Sequence, residues 1–296
     1  MISKLSWSMS EPAAIANATS IIAISVNSTA HGRRQALVCV PAKTGSSSFY
    51  NWLFASLAGR PWPHTGAPWI QDIRSERWKG LRESPYMLRS LHQLAPSAQH
   101  GWLTDPGVKR FAIHRSPIER AISGYHSKVS CAPCGEAHEH VGRINRLMRD
   151  APRAASRVDR TRKCASPSNN GKKPTASDPV PCLSIDEWTD LMLEAVAAGR
   201  VLDPHFSPQT VQCAHDKIYY DTLIPITANS EGLAGLATQL GLPVVALGHD
   251  HKISRNGASA FIRNSTLARL KRLYAADQRI LGYPRVMQIA TFPGNI

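Results

Sequence analysis

Twice in this chain a short apolar run stops at a polar loop that opens directly into a stretch of helical periodicity, and that recurrence limits the fold more than any other feature. Residues 36–40 read Ala-Leu-Val-Cys-Val, a buried strand by length and composition. They pass through Pro41-Ala-Lys-Thr-Gly-Ser-Ser-Ser into Phe49, Trp52, Leu53 and Leu57, which share one helical face. In the second unit Arg110-Phe-Ala-Ile-His114 is the strand and Ser116-Pro117-Ile118-Glu119 starts the helix. Ser116 can cap, Pro117 suits the first helical position, and Glu119 stands where a capping box takes a carboxylate. Ile118, Ile122, Tyr125 and Val129 follow at helical spacing and are expected to face a core. Strands alternating with helices pair in parallel, so the predicted class is α/β with a mainly parallel sheet and flanking helices.

Further elements fit that class. A helix is expected over 184–198, opened by Ser184-Ile-Asp-Glu187 and closed by Gly199, then a strand over 217–226. A helix over 230–240, stopped by Gly241, and a last one over 265–280 complete the pattern. Residues 1–33, rich in Ser, Ala and Asn without a clear period, read as a leader or peripheral arm, with the organised fold over 34–296. Residues 143–182 read as an exposed basic insertion. Its stretch 143–173 carries ten lysines and arginines (Arg143, Arg146, Arg149, Arg153, Arg157, Arg160, Arg162, Lys163, Lys172, Lys173) against Asp150 and Asp159, a net +8 of the chain's +14. Either a solvated surface or a polyanion-binding face accounts for it.

With 296 residues, 43% of them hydrophobic, the chain can bury a large core, and its charge implies an anionic partner. No RNP-type aromatic motif, zinc-finger spacing or basic heptad region points to nucleic acid. The apolar stretch at 13–26 is too short for a membrane span and is broken by Asn17, Thr19 and Ser20, so membrane attachment is expected only through an anchor not visible in the sequence. Sequons at Asn17, Asn27 and Asn264 and an even count of six cysteines suit a secretory compartment. Cys39, in a buried strand, is expected as a free thiol. Cys131, Cys134, Cys164, Cys182 and Cys213 are left for disulfides or a zinc site.

The chemistry concentrates in the two loops. Lys43-Thr44-Gly45-Ser46-Ser47-Ser48 combines a flexible glycine, hydroxyl donors, one lysine and the amides of a helix start, which together cradle an oxyanion. The lysine precedes the glycine, so this is no Walker loop. Arg115 leaves its strand at the C-terminal end, where parallel sheets place ligands, and Ser123 follows two turns along the helix.

In order and separation the two loops resemble those of the membrane-type carbohydrate sulfotransferases of the chondroitin 4-O and heparan 2-O group. That group's 5′-phosphosulfate loop, roughly Pro-Lys-x-(Gly/Ala)-x-Thr-(Ser/Asn), matches residues 42–48 with Ala42 for Pro and Ser47 for Thr. Its 3′-phosphate motif, roughly Arg-(Asp/Glu)-Pro-(Phe/Ile)-Glu-Arg-x-x-Ser-x-Tyr, matches residues 115–125 with Ser116 for the acid. Downstream, Asp203-Pro-His205-Phe-Ser-Pro-Gln…Cys213…Tyr220-Asp221…Glu231-Gly-Leu233 and Tyr274…Asp277…Gly282-Tyr283 continue the likeness over residues 36–284, outside the arm and the insertion. Phe206 stands for Trp, and the usual second Cys after Cys213 is missing. The resemblance implies a P-loop-like three-layer sandwich and sulfuryl transfer from 3′-phosphoadenosine 5′-phosphosulfate (PAPS) to a glycan hydroxyl in the Golgi lumen, without a metal. It implies Lys43 as a catalytic group, with Thr44, Gly45, Ser46, Ser47 and Ser48 around the 5′ end of the donor and Arg115 and Ser123 at its 3′-phosphate. His205 is the expected general base, with His92 second, and an anionic glycan the expected partner. Competing readings are an inactive polyanion-binding module and a nucleotide-dependent phosphotransferase; the latter wants carboxylates for Mg²⁺ near the loop, and none is adjacent.

Overall fold

The computed structural model describes residues 20–28, 32–63, 86–130, 137–161, 182–226, 231–246 and 262–283. Its strands are β1 (Ile21–Ser28), β2 (Gly32–Cys39), β3 (Tyr86–Ser90), β4 (Lys109–His114) and β5 (Thr222–Pro225). The helices are α1 (Ser46–Ala58), α2 (Pro96–Thr104), α3 (Pro117–Lys128), α4 (Ala137–Asp150), α5 (Pro152–Ala155), α6 (Ile185–Ala197), α7 (Gln209–Gln212), α8 (Glu231–Leu240), α9 (Asn264–Leu273) and α10 (Ala275–Ile280), with a 3₁₀ turn at Leu91–Gln93. They fall into two compact units, a sheet unit running to Arg115 and resuming over Gln209–Arg255, and a helical unit of Ser116–Pro208 and the chain from Asn256.

The sheet has the order β3-β1-β2-β4-β5. β2 pairs with β4 in parallel, as β4 does with β5. β1 runs antiparallel to both of its neighbours, Ile21 opposite Cys39 of β2 and Ile22 opposite Ser90 of β3. Four of the five strands therefore point one way, and the fold is the mainly parallel α/β sheet expected. One face, with Ile22, Ile24, Val38, Phe111 and Ile113, is covered by Phe49, Trp52 and Leu53 of α1 and Leu233 and Leu236 of α8. The other, with Ile21, Ala23, Leu37 and Ala112, is covered by Trp102 of α2 and by Cys213, Ile218 and Tyr220. Helix, sheet and covering segment make three layers.

The helical unit packs α3, α4, α5, α6 and α9 around Trp188, whose ring lies 5.5 Å from Tyr125 and 5.2 Å from Phe206. Full burial of an aromatic removes about 150–250 Å² from water, worth about 4–6 kcal/mol at ~25 cal/mol/Å². Arg120 is fully buried here, its Nη2 donating to the Pro204 carbonyl at 2.9 Å. Desolvation lowers its pKa, and Tyr274 and the buried Asp277 act in the opposite sense.

Several expectations are corrected. Residues 1–33 are not wholly peripheral: β1 lies inside them and its residues 21–26 are buried. Both its faces are covered, Ile22 and Ile24 on one side and Ile21 and Ala23 on the other, so it has no polar alternation to read. The basic insertion is partly core, since Ile144, Ala151, Ala154, Ala155 and Val158 are buried while Arg146, Arg149, Arg153, Arg157 and Arg160 stay exposed. Arg162, Lys163, Lys172, Lys173 and the sequon Asn17 lie outside the described residues, as do Cys131, Cys134 and Cys164. β5 is shorter than expected, and the last helix breaks at Tyr274 into α9 and α10. Cys39 is no free thiol: it is disulfide-bonded to Cys213, with the Cα atoms 5.6 Å apart, both residues lying on the same buried sheet face. Cys182 is also disulfide-bonded.

Candidate active site

The four co-directional strands bring their C-terminal ends to one edge of the sheet. β2 and β4 are neighbours there, but after α1 the chain from β2 goes on to β3 on one flank, while β5 lies on the other flank of β4. A crevice where successive connections part in this way is where open α/β sheets bind ligands. Lys43 follows Cys39 by four residues and Arg115 follows Ala112 by three, and Cys39 and Ala112 are partners in the ladder. The two anion loops thus leave adjacent strands side by side.

The first loop is bent by two left-handed residues, Lys43 at φ 66° and Gly45 at φ 86°. A Cβ on Gly45 would lie 3.4 Å from Ile226. A lysine held at positive φ is a strained conformation that needs its surroundings to maintain it. Part of the restraint is Thr44, fully buried, whose hydroxyl and amide both donate to the Pro41 carbonyl, at 2.6 and 3.3 Å. Thr44, expected among the ligand donors, thus also staples the loop from within. Gly45 caps α1 without a side chain and the first turn holds no acidic residue, so the N-terminal amides of Ser46, Ser47 and Ser48 and the positive end of the helix dipole remain for an anion. The three serines are half-buried, as is Lys43.

The second loop is satisfied from within. Ser116 Oγ accepts from the Glu119 amide at 3.5 Å, Pro117 is the first helical residue, and Glu119 lies in the first turn of α3. The side chain at the strand's end is Arg115, half-buried.

Both loops are held through α7. Gln209 pairs with the main chain of Arg115, its Oε1 accepting from the Arg115 amide at 2.9 Å and its Nε2 donating to the Arg115 carbonyl at 2.8 Å. Gln212 Oε1 accepts from the Ala42 amide at 3.1 Å and from Ser20 Oγ at 3.2 Å. Cys213 then ties the same turn to the end of β2, and its carbonyl accepts from Tyr220 at 2.7 Å. Burial pushes the Tyr220 phenol up, so it stays a donor.

In the helical unit, His205 Nδ1 lies 2.6 Å from Asp203 Oδ1, which also accepts the His205 backbone amide at 2.9 Å. With the carboxylate on Nδ1, the network assigns a proton to that nitrogen. The turn that carries His205 is fixed by Arg120 at Pro204 and by Tyr274, which donates to the Phe206 carbonyl at 2.7 Å. Gly124 permits close approach: a Cβ there would fall 3.1 Å from the His205 carbonyl oxygen and 3.4 Å from the Phe206 ring. Ser123, half-buried, is the preceding residue of α3.

Lys43, Ser46, Ser47, Ser48 and Arg115 are thus gathered at the strand ends of one unit. His92 belongs to the same edge, two residues beyond Ser90, which stands opposite Ile22 as Cys39 stands opposite Ile21. Ser123 and His205 belong together in the other unit. The roles of Asp203, Gln209 and Gln212 escaped sequence reasoning; the i, i+3 spacing of two glutamines before a cysteine was the available signal.

The profile of one protein family, described as "Sulfotransferase family", matches residues 29–284. No curated protein and no solved structure matches significantly. With the match extending over both anion loops, the Asp203–His205 turn and β5, the chain belongs to the sulfotransferase family and the chemistry of its site is sulfuryl transfer.

Proposed function

We propose that this protein transfers a sulfuryl group from PAPS to a hydroxyl of a carbohydrate. One observation carries the donor: two anion loops of different construction leave adjacent strands, one presenting amides and a lysine, the other an arginine. That pair fits a ligand with one anionic group at each end. Bound PAPS supplies an activated sulfuryl group on a phosphate leaving group. Lys43 and the α1 amides neutralise charge at the phosphosulfate, where positioned donors act most strongly, and Arg115 holds the 3′-phosphate. His205 Nε2 takes the proton of the acceptor hydroxyl, with Asp203 keeping the ring in the accepting tautomer.

The acceptor is an anionic glycan, drawn by the exposed Arg146, Arg149, Arg153, Arg157 and Arg160. The Cys39–Cys213 disulfide favours an oxidising compartment, hence the secretory pathway and the Golgi lumen. Among the described residues no helix is long and apolar enough to cross a membrane.

Binding of adenosine 3′,5′-bisphosphate to the purified chain tests the donor. Arg115→Ala should weaken it about tenfold or more, and Lys43→Ala should mainly depress turnover; unchanged binding and turnover in both would remove the assignment. His205→Ala should cut transfer by about 10² with nucleotide binding intact. His92 lies at the edge of the anion loops and is the rival base, so that profile in His92→Ala alone would transfer the role to it.

A further inference from the structure

We infer that Gln209 and Gln212 are positioning residues that set the two donor anchors relative to each other, each through the main chain of one loop. The inference rests on the PAPS reading of the site. Gln209 and Gln212 are 1% and 7% exposed, and the side-chain amide of each bonds the main chain of one loop. Gln209 reproduces on Arg115 the paired donor and acceptor of a β-ladder, although the ladder itself ends at His114 opposite Pro225. In effect it extends the order of β4 by one residue, the residue whose guanidinium is to meet the 3′-phosphate. Gln212 acts one residue before Lys43, at the foot of the strained bend. The Cys39–Cys213 disulfide fixes the turn itself to β2, so the separation between the loops is defined through one short, buried element.

Loss of either amide removes a part-buried bond to the loop's main chain and lets the loop drift, and small misplacements of anchoring groups are costly in orientation. Gln209 should therefore govern donor affinity and Gln212 turnover.

The test is calorimetric titration of the full chain with adenosine 3′,5′-bisphosphate, together with steady-state kinetics. Gln209→Met, close in volume to the parent, should raise Kd about tenfold, whereas Gln212→Met should change Kd less than about threefold and lower kcat about tenfold. In an Arg115→Ala background, Gln209→Met should add almost nothing, because the residue works through Arg115. A purely structural role would instead lower Tm and add its full cost in that background. Kd within twofold of the parent for Gln209→Met, or an undiminished cost in the double variant, overturns the inference. Should Gln209→Met not fold, Gln209→Glu keeps the acceptor for the Arg115 amide, loses the donor to its carbonyl, and carries the same readout. Failure of the unmodified chain to bind the bisphosphate removes the PAPS reading first, and the inference with it; binding by the parent separates the two.

Discussion

The helix after β2 and the helix after β4 start in opposite ways. α1 begins with a left-handed glycine, no side-chain cap and no acidic residue in its first turn; α3 begins with a serine cap, a proline and a glutamate. Helix starts with satisfied amides are stable and inert, whereas open ones are costly and receptive. On the reading proposed above, the site divides its labour in the same way: the strained loop provides main-chain donors and a lysine, and the capped one supports an arginine.

Disulfide removal should have the largest effect, because Cys213 ties to β2 the turn that holds both loops. Cys213→Ser opens a link between residues 174 apart in sequence and should cost on the order of 5 kcal/mol by the chain-entropy account, read as a lower midpoint in chemical denaturation. Next comes Lys43→Gly, which relieves the positive φ and removes the charge together. Turnover should fall by about 10² or more while stability rises by about 1 kcal/mol, a stability gain at the expense of function. A less stable variant would mean that the lysine is not strained, and the contrast between the loops would fail. Ser116→Ala should cost about 0.5–1 kcal/mol and leave bisphosphate affinity unchanged, since its hydroxyl caps the Glu119 amide. Smallest is a pH effect on α3. His126 is held below its ordinary 6.5 by burial, so the unfolded chain binds the proton more readily. Stability should then decline as pH falls through about 6.5 toward the folded value, and His126→Gln should flatten that slope in thermal melts at pH 7.5 and 5.5.

What could be read in the sequence was whatever has a local signature. The Ser184 start shows both halves of its capping box, Ser116 caps as its spacing requires, and Phe49, Trp52, Leu53 and Leu57 are all buried. The Lys43 and Arg115 loops could be placed after strands for the same reason. β1 could not, because a strand covered on both faces and flanked by Ser and Asn has neither alternation nor length to distinguish it from a leader. The Cys39–Cys213 pair and the Gln209–Arg115 pair join residues 174 and 94 positions apart, and no local pattern encodes such partners. Nor does any local pattern show that the bend of the loop turns the Thr44 hydroxyl onto the Pro41 carbonyl.

The distance between Cys39 and Cys213 also bears on how the protein is made. At about 5–20 residues per second, the ribosome delivers Cys213 roughly 10–35 s after Cys39. During that interval Cys131, Cys134, Cys164 and Cys182 emerge first, each a nearer thiol for Cys39 to meet. β5, the strand that completes the parallel ladder, is later still, at Thr222–Pro225. The nascent chain therefore passes through a period in which the thiol at the foot of its donor loop is exposed to the wrong partners, and its yield should depend on thiol–disulfide exchange that undoes early pairings.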